Sequence, residues 1–268
     1  MTPLLTGLYV PGDRPDRFAK AFASGADLVV LDLEDAVAPD RKAAARETVV
    51  AALAEPHPGV VVQVRIDGPD DLHALAAVST PFEVRVPKAS AARLDAVAAA
   101  LPGVPLTALL EDAAGVLDAR SIAAQAAVTR VGLGEADLRS AVGSGAPVIE
   151  FARVGLVYAA AAAGLPAPML SAWTRLDDEA GLEADTRAGA ALGFVGRMAV
   201  HPRQLAVVER AFAPAQEAVA LAHAVLAATA EGGVARLPDG RMVDPAMRRE
   251  AERVVELDAR TSAPRPPG

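Results

Sequence analysis

The 268-residue sequence predicts an α/β fold, a (β/α)8 TIM barrel carrying a C-terminal helical extension. Three observations point there. Short apolar runs alternate with longer Ala-rich amphipathic runs, the pattern of a parallel sheet whose strands are separated by helices. Polar residues gather where the apolar runs end, as they do at the C-terminal mouth of a barrel. The first turn, Pro11-Gly12-Asp13-Arg14-Pro15, lacks the G-x-G-x-x-G pattern that would favour an open doubly wound sheet.

Each element follows in order. Residues 4–10 read as the first strand, 11–13 as a turn and 17–24 as a helix. Residues 27–33 (DLVVLDL) are nearly continuous in apolar character, the mark of a strand buried on both faces. A helix is expected over 41–53, a strand over 60–66 and a helix over 70–78. Strand 83–87 is followed by helix 91–101, strand 106–110 by helix 115–127, and strand 130–133 by helix 149–163. A weak seventh strand is expected over 168–173, then a helix over 179–192 and an eighth strand over 196–200. After His201 the texture changes. Helices are expected over 204–212, 214–230 and 245–257, with a hairpin at Pro238-Asp239-Gly240. The domain plan is therefore a barrel over 1–204 with its functional groups at the strand ends, an appendage over 205–260 placed to close over the barrel mouth or to dock on a neighbouring subunit, and a Pro-rich tail over 261–268 expected to be disordered.

Composition limits the partners. Aromatics are 3% and the net charge is -8, so stacking surface is scarce, the charge sign is wrong, and no nucleic-acid partner is expected. With no Cys, disulfides, thiolate metal sites and Cys nucleophiles are excluded. The first five residues lack a basic region and a long apolar run, so no signal peptide is read there. No stretch of about 18 apolar residues runs without charge or breaker, so no membrane partner is expected. The expected location is cytoplasmic.

The polar residues at the strand ends are Asp13, Arg14, Asp32, Glu34, Asp35, Arg65, Lys88, Glu111, Asp112, Glu135, Asp137 and His201. Carboxylates interleaved with cations suit a hard divalent ion and an anionic substrate. Glu111 and Asp137 end successive strands, so both can approach one Mg2+; capping of the following helices is the other reading. Arg65 lies inside a strongly apolar strand, where a charge must be paired or face a site. It either clamps a substrate carboxylate or carbonyl, or pairs with Glu34 and Asp35, or does both. Glu34 and Asp35 balance Arg65 and Lys88, or accept from metal-bound water. Lys88 suits a salt bridge or a Schiff base, and His201 a rim hydrogen bond or a base. Asp244, before Pro245, reads from its position as a helix N-cap.

Eight segments then carry a resemblance. They are Tyr9 to Arg14 (YVPGDR), Leu31 to Val37 (LDLEDAV), Val64-Arg65-Ile66, Val86-Pro87-Lys88, Leu110-Glu111, Gly134 to Leu138 (GEADL), Val200 to Gln204 (VHPRQ) and Asp239 to Asp244 (DGRMVD). In this order they resemble the citrate lyase beta-subunit-like branch of the HpcH/HpaI aldolase superfamily, over roughly residues 4–257. The resemblance implies a (β/α)8 barrel assembled as a homo-oligomer, a trimer or hexamer. It implies that Glu111 and Asp137 ligate Mg2+ (Mn2+ being possible), and that Arg65 contacts the substrate with Glu111 beside it. It implies that Arg14 and Lys20 contact coenzyme A, which enters as part of the substrate. It also implies that Asp244 reaches a neighbour's site as an acid or base.

The activity implied is a carbon-carbon lyase acting on a 3-hydroxyacyl-CoA thioester of the malyl-CoA or citramalyl-CoA type, giving a 2-oxo acid and an acyl-CoA. The alternatives are a citrate lyase beta subunit using a carrier-bound thioester, a CoA-independent 2-oxo acid aldolase, and a non-catalytic assembly protein on a decayed barrel. Three departures bear on the substrate pocket, one being a shortened segment from Gly143 to Glu150. The seventh-strand region, Leu165 to Leu170, lacks the Asp that relatives usually carry, and Trp173 lies just beyond it.

Overall fold

The computed structural model describes residues 3–143 and 145–262. Seven parallel strands form its main sheet: β1 (Thr6–Pro11), β2 (Leu28–Asp32), β3 (Val61–Arg65), β4 (Glu83–Val86), β5 (Leu106–Leu110), β6 (Val128–Leu133) and β7 (Arg197–Ala199). Their order is β6-β5-β4-β3-β2-β1-β7. Every residue of β2 and β5 is buried. One face of each strand packs on helices and the other faces the inside of the curled sheet, so neither face can be polar by default.

The connecting helices are α1 (Phe18–Phe22), α2 (Lys42–Leu53), α3 (Pro69–Leu75), α4 (Ala91–Ala100), α5 (Ala113–Leu117), α6 (Ala119–Ala123), α7 (Glu135–Val142), α8 (Ala146–Ala162) and α9 (Glu179–Leu192). Each longer helix buries a stripe at helical spacing, such as Ala45, Val49 and Leu53 on α2 or Ile149, Ala152, Leu156 and Ala159 on α8. These residues and the outward strand faces make one continuous core. A smaller cluster of Leu28, Val30 and Met198, with Tyr9 and Met169 against it, fills the inside of the sheet.

Three expectations change. The seventh predicted strand shrinks to two isolated parallel bridges, Gly132↔Met169 and Leu170↔Arg197. Pro166 and Pro168 carry no N–H, so the segment cannot donate to a ladder on the N-terminal side of Met169. These bridges link β6 to β7, the two edges of the sheet. The single helix expected over 115–127 is two short ones, separated at Asp118, whose φ of -92° and ψ of 7° leave the helical region. The unforeseen α7 begins directly at Glu135, which places Glu135 and Asp137 in its first turn.

Beyond His201 come α10 (Leu205–Phe212), α11 (Gln216–Ala228), a hairpin of β8 (Ala235–Arg236) and β9 (Met242–Val243), and α12 (Arg248–Ser262). Helix α10 packs Leu205, Val207, Val208 and Phe212 into the main core. A separate small core of Ala222, Val225, Leu237, Val243 and Ala251 starts with α11, later than the change in composition. Thr261 and Ser262, expected in the disordered tail, form the last turn of α12, where the Thr261 hydroxyl donates to the Leu257 carbonyl at 2.8 Å. Residues 263–268 of that expected tail lie outside the described residues. Among the described residues no single helix is long and apolar enough to cross a membrane.

Candidate active site

The site begins with strand register. Asp32 and Arg65 close β2 and β3 and are direct neighbours in the parallel ladder. Arg65 donates from Nε to Asp32 Oδ1 at 2.7 Å and from Nη2 to Oδ2 at 2.6 Å. Its Nη1 lies 2.8 Å from Glu34 Oε2 and 3.4 Å from Asp35 Oδ2. Burial works against the guanidinium's charge, but the forked bond to Asp32 and the negative charge of Asp32 and Glu34, with Tyr9, together outweigh it and hold Arg65 firmly protonated. Asp32 also accepts from the Glu34 N–H at 2.9 Å, so this buried carboxylate has its acceptors filled. Glu34 is shifted upward because burial outweighs the attraction of Arg65 and Lys88.

Glu111 follows β5 and is 3% exposed. Its Oε1 accepts from the Lys88 backbone N–H at 2.9 Å. Lys88 has φ +48°, and among the described residues it is the one non-glycine in that left-handed region. Such strain persists where the surroundings dictate it, commonly at a functional site. The Lys88 ammonium lies 3.1 Å from Glu34 and 3.8 Å from Glu111.

The second oxygen, Oε2, is buried with no hydrogen-bond partner among the described residues. A Cβ on Gly134 would stand 2.6 Å from it, so only glycine leaves this oxygen its space. Burial first, then Glu34 and Asp137, push the Glu111 carboxyl up to about 7. Asp137 is therefore close enough to be felt, and it lines the same cavity of about 390 Å³ as Glu111, Arg65, Asp35, Tyr9 and Arg85.

An orphaned, desolvated carboxylate oxygen beside a second acid is what a hard cation would satisfy. Among the described residues no group of three or more His, Asp or Glu converges as a complete cage. That suits Mg2+, which takes one or two carboxylates and fills its shell with water and substrate oxygens. Glu111 and Asp137 thus fit the ion, and Arg65 stands beside them.

Other candidates divide. Asp112 caps α5 by accepting from the Gly115 N–H at 2.7 Å, and Glu135 is taken by Arg153 at 2.7 Å. Arg197 is buried and pairs with Asp185 on α9. A second groove of about 480 Å³ shares Tyr9, Ala36 and Val200 with the cavity and is lined by Arg17, Lys20 and His201. Arg14 is outside that lining, held by Asp16 at 2.9 and 2.8 Å. His201 Nδ1 accepts from the Arg203 N–H at 3.1 Å, a rim cap. Slight desolvation and the cations Arg203, Lys20 and Arg17 lower its pKa. Asp244 accepts from the Ala246 N–H at 2.9 Å as a helix cap, and within one chain it lines neither cavity.

Sequence reasoning missed Tyr9, Arg17, Gly134 and Arg85. Arg85 carried a legible signal, since it is a charge inside an apolar strand, the argument used for Arg65.

The site can be set beside known proteins. A family model described as HpcH/HpaI aldolase/citrate lyase matches residues 5–202. A protein of Cereibacter sphaeroides named (3S)-malyl-CoA thioesterase is 35% identical over 90% of both chains. A citrate lyase subunit beta-like protein of Mycobacterium tuberculosis is 36% identical over 92% of this chain and 93% of its own. The crystal structure of CitE from Mycobacterium tuberculosis, in complex with magnesium, acetoacetate and coenzyme A, superposes with a TM-score of 0.81 at 33% identity, covering 96% of this chain and 98% of that one. This chain belongs to the HpcH/HpaI aldolase/citrate lyase family.

Proposed function

We propose, from that membership, that the protein is a Mg2+-dependent carbon-carbon lyase. It splits a 3-hydroxyacyl-CoA thioester of the malyl-CoA or citramalyl-CoA type into a 2-oxo acid and an acyl-CoA, on a (β/α)8 barrel closed through Met169 and Leu170. The observation that carries this reading is the buried, partnerless Glu111 Oε2 beside Asp137 in a cavity that Arg65 also lines. Support comes also from the relatives named for malyl-CoA, and from the CitE complex.

Glu111 and Asp137 would hold the ion, and Mn2+ has the same ligand preferences. Magnesium, when bound, supplies a Lewis acid for oxygens of the oxo-acid half. Arg65, locked by Asp32 and Glu34, stabilises negative charge that develops on the reacting oxygen. Glu34, Asp35 and Lys88 fix that lock and the Lys88 backbone that orients Glu111. In cleavage, the 3-hydroxyl gives its proton to a base and the C2–C3 bond breaks. Its electron pair forms the thioester enolate, whose C2 is then protonated. Asp244 of a second copy is assigned that proton. The Asp244 of the same chain caps a helix away from the cavity, so the step needs a trimer or hexamer. Lys20, with Arg17 and His201 beside it, offers positive charge to the phosphates of coenzyme A. Arg14 joins once Asp16 releases it.

A second reading, thioester hydrolysis, is favoured by the relative named malyl-CoA thioesterase. One experiment separates the two. Purified protein with Mg2+ is given a panel of 3-hydroxyacyl-CoA thioesters. A 2-oxo acid with an acyl-CoA marks the lyase, a hydroxy acid with free coenzyme A marks the hydrolase, and no turnover of any thioester overturns both.

A further inference from the structure

The two acids of the metal pair stand on different supports. Glu111 accepts from the Lys88 N–H, whereas no hydrogen bond or ion pair holds the Asp137 side chain among the described residues. Asp137 therefore goes where the first turn of α7 puts it. That turn has no side-chain cap. Asp112 caps α5 and Asp178 caps α9, each by accepting from a first-turn N–H, at 2.7 and 2.8 Å. The N-cap of α7 is Gly134, which has no side chain to do the same. A capping residue cannot replace it, because a Cβ there would stand 2.6 Å from Glu111 Oε2. The space that keeps the orphaned oxygen open thus deprives α7 of its cap.

Arg153 supplies another anchor. From α8, its Nε donates to Glu135 Oε1 at 2.7 Å and its Nη2 to Oε2 at 3.0 Å. The same guanidinium meets a second carboxylate on α9, Nη1 donating to Asp185 Oδ1 and Nη2 to Oδ2, each at 3.2 Å. Asp185 in turn pairs with Arg197 of β7. Arg139, more exposed, adds only a longer contact to Glu135 at 3.4 Å. The Arg153 and Glu135 side chains are 11% and 10% exposed, so the fork between them is little screened. Glu135 is the first residue of α7, two before Asp137. One guanidinium therefore joins the start of α7 to α8 and α9.

We infer that Arg153 is a positioning residue for the metal: it clamps the first turn of α7 through Glu135 and so sets where Asp137 meets the ion shared with Glu111. This rests on the metal reading and deepens it, because Arg153 lies outside the cavity lining and acts only through Glu135. Two rival accounts give different signs. If Arg153 only braces α8 against α9, its loss lowers stability and leaves Mg2+ affinity alone. If only charge matters, removing a nearby cation strengthens Mg2+ binding.

Calorimetric titration of Mg2+ separates the three, with circular dichroism checking the fold. Arg153→Met should weaken binding about tenfold or more, although it removes a repelling charge. Arg153→Lys keeps the charge but loses the fork, and should fall between Arg153→Met and wild type. Arg46→Met is the control. Arg46 pairs with buried Asp71 at 2.9 Å, and neither residue lines a cavity of the site. Its loss should lower stability and leave Mg2+ affinity unchanged. Unchanged or tighter binding in Arg153→Met, or equal losses in Arg153→Met and Arg46→Met, overturns the assignment. Amide exchange on the metal-free protein needs no ion. The Leu138 N–H donates to the Gly134 carbonyl at 3.0 Å, and should exchange about tenfold or more faster in Arg153→Met, with β2 amides unchanged. If wild type binds no Mg2+, the metal reading fails and exchange decides the clamp by itself: acceleration confined to α7 upholds it, and none, or the same acceleration in β2, removes it. Should Arg153→Met misfold, the same signs are read from Arg153→Lys.

Discussion

Asp27 and Glu111 stand at opposite ends of the sheet, and they differ in what their oxygens find. Asp27 precedes β2. Its Oδ2 accepts from the Leu5 N–H at 2.7 Å, the Thr6 N–H at 2.9 Å and the Thr6 hydroxyl at 3.2 Å. Its Oδ1 accepts from Arg260 of α12, which ties the far end of the chain to the start of the sheet. Glu111 follows β5 with one oxygen served and the other orphaned. A carboxylate whose acceptors are filled stabilises the fold; one held buried and half satisfied lowers stability and is kept for a ligand. The difference in satisfied acceptors thus separates the N-terminal end of the sheet, where Asp27 ties segments together, from its C-terminal end, where Glu111 lines the cavity.

Four changes would break or sharpen this contrast. The largest effect belongs to the metal pair. Glu111→Ala or Asp137→Ala should lower Mg2+-dependent turnover by about 100-fold or more while the folded circular dichroism spectrum stays; undiminished turnover in both variants ends the metal assignment. Next, Asp27→Ala should cost about 2–4 kcal/mol in urea unfolding, because it leaves two backbone N–H groups without their acceptor and Arg260 with the longer contact to Glu209 at 3.5 Å. Its Mg2+ affinity should match wild type, and an equal loss there would erase the distinction between the two ends. Third, Gly134→Ala inserts a methyl into the place of Glu111 Oε2 and should weaken Mg2+ binding by about tenfold or more, measured by calorimetry.

The smallest effect is that of pH. The Glu111 carboxyl is raised from 4.5 to about 7, so the metal-free protein holds the full benefit of this group below 4.5 and loses it as pH climbs through 7. Mg2+ needs the ionised form, so its affinity should rise about tenfold between pH 6 and pH 8, with uptake of the ion releasing a proton. A flat profile, in wild type and in Glu111→Gln alike, would mean that Glu111 ionises freely and is not desolvated as described.

Much of this was legible in the chain. The strand 106–110 and the helix 179–192 appear with the bounds that their periodicity predicts. Arg65 stood out because a charge in an apolar strand demands a partner, and both expected roles are compatible with its geometry: it pairs with Asp32 and Glu34, and it lines the cavity. The unseen parts are those that depend on distant segments. Gly134 stood in the GEADL segment with no role assigned, and only the fold brings the Glu111 side chain against it. Lys88 suited a salt bridge or a Schiff base through its side chain, yet its backbone N–H, set by a left-handed φ, also holds Glu111.

The sequence by itself determined the alternation of strands and helices, the acids at the strand ends and the family to which they belong. These are local matters, since hydrophobic period and residue type follow from neighbours along the chain. Only the tertiary structure decided which carboxylate would be filled and which left open. Those outcomes depend on register between strands far apart in sequence, where one residue of slip would turn every one of these side chains to the opposite face.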